Sequence, residues 1–427
     1  MTKNRTNDMT KGNPFKLIIL FSIPLFLGNT FQQLYNMADT VIVGRFVGVK
    51  ALAALGATGS LFFLLFGLVS GLTSGFAVIT SQKFGAGDYK GMRHSITTSI
   101  FLCIFSTVVI TVFTLIITKP LLHIMNTPED IFDQAVLYIS IIFAGTAASV
   151  LYNMIACILR ALGDSRTPLY FLLLSSAINI VLDLVFIISF SMGVDGAAYA
   201  TVISQAVSGI LCFIYIKIKY PVLKLHKEDW HFDFSFALDH LKVALPMSLQ
   251  FCVTALGIMT IQAALNRFGS TVVASYTAAS KVEQIITTPA MTFGMTMAIY
   301  CGQNFGAGQY ERIKTGVRSC ILISGIFSIV STILVILFSS DFTRLFIENA
   351  SSEVIKYSVD YLNLASLFFF FLSVLFIYRN ALQGMGNGFV PMMAGVCEFV
   401  ARTAVAFTLP SIIGYLGILS LIHIFCK

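Results

Sequence analysis

The chain has 427 residues, of which 57% are hydrophobic and only 11% are charged. A soluble domain carries roughly 25% charged residues, so the composition excludes an ordinary soluble protein and indicates a polytopic membrane protein. The net charge of +7 does not indicate a nucleic-acid partner, because the basic residues are scattered through short loops.

The opening segment up to Lys16 is polar, and no small-residue cleavage site follows the first apolar run, so that run is expected to serve as an uncleaved insertion signal. Apolar runs long enough to cross a bilayer then follow at about 17–43, 53–81, 95–118, 131–159, 168–190, 197–216, 241–265, 272–301, 315–338, 354–378 and 390–413. Several exceed the roughly 20 residues a span needs, so tilt or bending is expected. Pro24, Pro246 and Pro289 lie inside spans, where proline removes a backbone donor and bends helices. Eighteen of the 27 Lys and Arg residues fall on the N-terminus and in the segments after even-numbered spans, against six on the opposite side. The positive-inside rule therefore places the N-terminus in the cytoplasm of a plasma-membrane protein. Seven of the eight cysteines fall within apolar runs at no metal-like spacing, and all six histidines lie in loops or at chain ends. No nucleophile elbow, phosphate loop or paired metal ligands occur, which argues against an enzyme and against a cofactor.

The two halves repeat one another. Gln-Lys-Phe-Gly-Ala-Gly-Asp-Tyr at 82–89 returns as Gln-Asn-Phe-Gly-Ala-Gly-Gln-Tyr at 303–310. Pro24 and Arg45 match Pro246 and Arg267, while Tyr138 and Pro168 match Tyr361 and Pro391, all at a near-constant offset. Each unit holds six spans, so the repeats are parallel, with the substrate path expected between them. The expected fold is all-α: an N-terminal six-helix lobe over 1–218, a cytoplasmic inter-lobe loop over 219–238 containing Trp230, and a C-terminal lobe over 239–427. Gly414 and Gly417 match Gly193 and Gly196, which open the sixth span, yet only ten residues follow Gly417. The twelfth helix is therefore expected to be truncated. The tail also matches the translation of a sequencing-library adapter, so the natural chain is expected to be longer.

Charges at membrane depth differ between the halves. The second half has Lys281, Glu283, Glu398 and Arg402, which sum to zero. Glu398 and Arg402 stand four apart on one helix face and can pair, whereas Lys281 and Glu283 need other partners. A structural ion-pair network is the simplest reading of them. The first half has Asp39 and Asp183 and nothing basic at that depth. A lone carboxylate at a bilayer centre costs about 2.5–3.5 kcal/mol on the insertion scale. Polar stripes surround them: Gln32, Asn36 and Asp39 on the first span, Ser175, Asn179 and Asp183 on the fifth, and Thr201, Ser204, Gln205 and Ser208 on the sixth. If these faces converge, carboxylates, an amide oxygen and a hydroxyl meet in one pocket. Such hard oxygens suit Na⁺, and paired carboxylates also bind a proton. The alternative is that each Asp caps a bent helix or bonds a neighbouring backbone group.

Tyr-Asn-Met-Ala-Asp-Thr-Val-Ile-Val-Gly at 35–44, the Phe-Gly-Ala-Gly loops, Leu-Arg-Ala-Leu-Gly-Asp-Ser-Arg-Thr-Pro at 159–168 and Asn-Ile-Val-Leu-Asp at 179–183 together resemble the multidrug and toxic compound extrusion family. The resemblance runs from about residue 14 to 417 and is nearest to the branch of DNA-damage-inducible exporters. It implies two six-helix lobes and export of small lipophilic, often cationic, compounds across the bilayer in exchange for H⁺ or Na⁺. It also implies a cation site at Asp39, Asn179, Asp183 and Thr201, with Tyr138 beside it. Gln32, Asn36 and Ser175 are candidate supports. Leu184 departs from the family pattern, which usually has proline after the aspartate, and so puts bending of the fifth span in question. Acids that some members carry in the seventh and tenth spans are absent, so coupling is expected in the N-terminal lobe of a monomer. A lipid-linked saccharide flippase is the alternative of the same superfamily, but it would want several basic residues facing the cavity. A membrane-embedded enzyme is disfavoured for want of His, Cys or Ser-Lys constellations at depth.

Overall fold

The computed structural model describes residues 8–265, 268–344 and 351–413. The expected twelfth-helix stub after Gly417, and Arg267 of the repeat, lie outside the described residues. Among those described, thirteen α-helices occur and no strand. They are α1 (Pro14–Phe46), α2 (Val49–Gly85), α3 (Tyr89–Ile124), α4 (Glu129–Ala144), α5 (Thr146–Ala161), α6 (Arg166–Leu184), α7 (Val194–Lys219), α8 (Phe234–Leu265), α9 (Ser270–Gly306), α10 (Tyr310–Arg344), α11 (Ser352–Ser366), α12 (Phe369–Gly384) and α13 (Phe389–Ile413). Nine single helices are long and apolar enough to cross a bilayer, and the pairs α4–α5 and α11–α12 bring the total to eleven if each bent pair is one span.

Local chemistry sets the helix ends. Asn13 caps α1, accepting from the Lys16 amide, and Pro14 fills the first helical position, where its missing N–H costs nothing. Four helices end on a glycine in the left-handed region: Gly87, Gly163, Gly308 and Gly386, with φ of 72°, 81°, 68° and 92°. In each, two amides reach back to close the last turn, as Gly87 N to Phe84 O and Asp88 N to Lys83 O. These four ends form two repeat-related pairs, so the repeated sequence encodes repeated stops. In the 159–168 motif, Asp164 caps α6 through the amides of Arg166 and Thr167 and also accepts from the Tyr220 hydroxyl.

The prolines are not where the chain breaks. α1, α8 and α9 run through Pro24, Pro246 and Pro289 as continuous helices. The sharp bends, 46° and 52°, fall between α4 and α5 and between α11 and α12, where there is no proline. At the first break, a Cβ on Gly145 would come within 2.3 Å of Val202 Cγ2, so close packing on α7 holds the kink. At the second, hydroxyls of α10 take up carbonyls around the break: Thr332 donates to Ser366 O at 2.7 Å and Ser328 to Phe369 O at 3.3 Å.

The halves meet along two equivalent seams, α2 against α8 and α1 against α9. Small residues permit the first: a Cβ on Gly71 or Gly75 would fall within 2.5 Å of the Ser248 or Ala244 backbone. The second carries polar contacts, Ser22 with Thr296 at 2.7 Å and Asn29 to Thr292 at 3.1 Å. At the end bearing the Phe-Gly-Ala-Gly loops the halves close directly. A Cβ on Gly85 would lie 1.9 Å from Gln303 O, and one on Gly306 1.8 Å from Gln82 O. The glutamines cross reciprocally, Gln82 Nε2 donating to Gly384 O at 3.0 Å and Gln303 Nε2 to Ala161 O at 2.8 Å. These loops are therefore more than turns, because each glycine of the motif has its own task. The first permits backbone contact across the halves and the second ends the helix.

The segment between α7 and α8 is stapled to α3. Arg93 meets Asp229 at 3.0 Å, His94 stacks on His231 at 3.9 Å, and Trp230 sits edge-on to Phe101.

Candidate functional site

α1, α4, α6 and α7 converge on the two acids of the first half. Asp183, at the end of α6, is fully buried, and Asn179, one turn earlier, is 1% exposed. Asp39 reaches in from α1, partly buried, close enough for its carboxylate to interact directly with that of Asp183. Asn179 Nδ2 lies 3.4 Å from Thr201 Oγ1 on α7, and both are buried. Tyr138, from α4, is buried within electrostatic reach of both carboxylates. The four residues of the expected cation site and Tyr138 thus occupy one place. Ser175 is buried a turn further along α6, Gln32 is partly buried on α1, and Asn36 is exposed.

Tyr35 belongs to this cluster, although only its place in the 35–44 motif drew attention to it. Its side chain lies near Thr201, Asp39 and Asp183. The available signal was its spacing, four residues before Asp39 on the same helical stripe.

Asp39 Oδ1, both carboxylate oxygens of Asp183 and Asn179 Oδ1 are buried without a hydrogen-bond partner. Neither carboxylate has a Lys or Arg among the charged groups acting on it. Buried acceptors are ordinarily paired, and a buried charge without a partner costs far more than a neutral group. Four such oxygens in one spot form a ready set of hard ligands for a small cation or a proton. A cavity lined by Phe62, Phe66, Ser149, Thr201 and Gln205 shares Thr201 with this cluster.

Immediately after Asp183 and Leu184 the helix widens into a π-turn over Val185–Ser189, closed by Phe190 N to Val185 O at 3.1 Å. The fifth span thus lacks the proline but carries a backbone irregularity of another kind beside the acid. Such π-turns occur frequently at functional sites.

In the second half, Glu398 lies between Arg379 Nη2, at 3.1 Å, and Arg402. The Tyr361 hydroxyl donates to Glu283 at 2.7 Å. Lys281 is exposed and forms no ion pair among the described residues, since two positions along a helix turn its side chain away from that of Glu283. Arg379, placed in a loop by the apolar-run boundaries, takes the fourth place in this network.

Comparison with known proteins agrees with this architecture. The MatE family model matches residues 24–185 and, a second time, 246–408. Over 382 residues the chain is 31% identical to the probable multidrug resistance protein YpnP of Bacillus subtilis, covering 89% of this chain and 84% of that one. It is 28% identical over 401 residues to the probable multidrug resistance protein NorM of Thermotoga maritima, covering 92% and 85%. A solved outward-facing conformation of a multidrug resistance MATE family transporter of the MOP superfamily superposes with a TM-score of 0.91 at 25% identity, over 100% of this chain and 95% of that one. The chain therefore belongs to the MatE family of multi-pass membrane transporters.

Proposed function

We propose that this protein exports lipophilic and cationic compounds across the plasma membrane in exchange for H⁺ or Na⁺, working by alternating access with its N-terminus in the cytoplasm. The observation that carries the reading is the set of unpartnered buried oxygens on Asp39, Asn179 and Asp183, with no Lys or Arg acting on the two carboxylates among the described residues. The multidrug assignments of YpnP and NorM support the substrate class.

In this reading, two lobes, residues 1–218 and 239–427, rock about the seams between α2 and α8 and between α1 and α9. When the cavity opens outward, a cation enters and neutralises Asp39 and Asp183, with Asn179 and Thr201 completing its shell and Tyr35 and Tyr138 closing over it. Neutralisation removes the electrostatic hold on a cationic drug, which leaves. When the cavity opens inward the cation departs and the restored negative charge favours the next drug molecule. The membrane potential adds about 2.3 kcal/mol per charge per 100 mV to inward cation movement. The test is drug resistance in cells expressing the protein. Asp183→Asn is expected to insert normally and confer none, and resistance equal to wild type would contradict the assignment.

A further inference from the structure

The internal repeat gives the site residues on α1, α4 and α6 counterparts in the second half. α13 packs on α8 as α6 packs on α1. At the repeat's offset Tyr138 corresponds to Tyr361, Ser175 to Glu398 and Asn179 to Arg402, while Tyr35, Asp39 and Asp183 correspond to Gly257, Ile261 and Ala406. Both acids have gone, and a guanidinium has arrived where the amide stood.

We infer that Arg402 is a resident cation: its guanidinium holds, in the second half, the place that an exchangeable cation takes in the first. The inference rests on the reading of Asp39 and Asp183 as the coupling site. Arg402 is 3% exposed and pairs with Glu398, one helical turn earlier. Glu283 lies within its electrostatic reach and also accepts from Tyr361, the counterpart of Tyr138. Tyr276 packs edge-on to Tyr361 at 5.3 Å.

Space has been made for the guanidinium. A Cβ at Gly257 would lie 3.6 Å from Arg402 Nη1, so a larger side chain there would compete for the same room. In the first half that position is Tyr35, whose side chain lies near both carboxylates. The charges agree as well. Arg379 and Arg402 balance Glu283 and Glu398, two against two, whereas Asp39 and Asp183 have no basic partner among the described residues. A guanidinium stays charged and cannot diffuse away, so it keeps the second half in a permanently cation-filled arrangement. One half then responds to ions and the other serves as its fixed counterpart.

The test counts bound ions on the full chain, by equilibrium binding of radiolabelled Na⁺ and by protons released in a pH jump. Arg402→Asn and Arg402→Lys are compared, each with and without Asp183→Asn. Removing the guanidinium leaves Glu283 and Glu398 against Arg379, one net negative charge, so Arg402→Asn is expected to bind one cation more per chain than Arg402→Lys in either background. No increment in a monodisperse protein overturns the inference. The coupling reading is tested separately, by whether Asp183→Asn alone abolishes wild-type binding. Should Arg402→Asn fail to fold, the reciprocal change decides. Tyr35→Gly with Asn179→Arg moves the guanidinium into the first half and is expected to weaken ion binding there at least tenfold beyond Tyr35→Gly with Asn179→Leu; equal binding in the two overturns the inference.

Discussion

Asp183 combines three properties that rarely coincide: full burial, two carboxylate oxygens without donors, and a second acid beside it. Lone pairs in that state need a positive partner, and the neighbouring residues supply oxygens rather than charge. Tyr35 and Tyr138 offer hydroxyls close by. Tyr35→Phe removes one hydrogen-bonding group worth about 1 kcal/mol, so the cation's apparent affinity is expected to fall roughly fivefold with insertion unchanged. A titration of ion-dependent thermal stability checks this, and an unchanged midpoint would place Tyr35 outside the shell. Asp39 and Asp183 were legible in the sequence because acids inside apolar runs have few structural excuses, and Asn179 and Thr201 by their place on polar stripes and by the family resemblance. Tyr35 was not, because a tyrosine in a membrane helix ordinarily packs. Arg379 was missed for a different reason: hydropathy ends a span where polar residues begin, although α12 continues to Gly384.

Among the helices, the Phe-Gly-Ala-Gly ends of α2 and α9 separate two roles within one motif. Gly87 sits at φ 72°, so Gly87→Ala forces a left-handed alanine at a cost of about 1–2 kcal/mol. Gly85 faces the backbone of the other half, and Gly85→Val cannot close that contact at all. Gly87→Ala is therefore expected to lower thermal stability and leave transport largely intact. Gly85→Val is expected to insert normally yet abolish transport, with thiol labelling showing the loop end held open. Equal transport defects in both variants would show that the motif acts only as a turn. The repeat itself was readable because these glycines and the glutamines before them recur in register. What they touch was not, since a turn signature says nothing of the surface it meets. The bends were likewise hidden. Proline was the visible signal, but Gly145 against Val202 and the hydroxyls of α10 set the kinks instead. The π-turn after Leu184 leaves no mark in residue types.

At the scale of the whole molecule, two repeat-related units share two seams, and the segment between them is clamped to α3. Burial would raise the Asp229 carboxyl, but the His226 amide and the Arg93 guanidinium outweigh it and hold the group below its ordinary range. A carboxyl depressed by folding stabilises above its unfolded pKa and loses that contribution as pH falls through its folded value. The clamp is thus expected to be intact at neutral pH and to loosen only below about pH 4. Limited proteolysis of the 220–233 segment against pH reads this directly, and Arg93→Met should move the onset of cleavage to higher pH. Transport by this protein is proposed to depend on coupling through the first half. In proteoliposomes, an imposed pH or Na⁺ gradient is followed by the counter-movement of a fluorescent lipophilic cation, for wild type and Asp183→Asn. Gradient-driven movement in the wild type and none in the variant is the predicted result. Equal movement in both, or none in the wild type under either gradient, would contradict it.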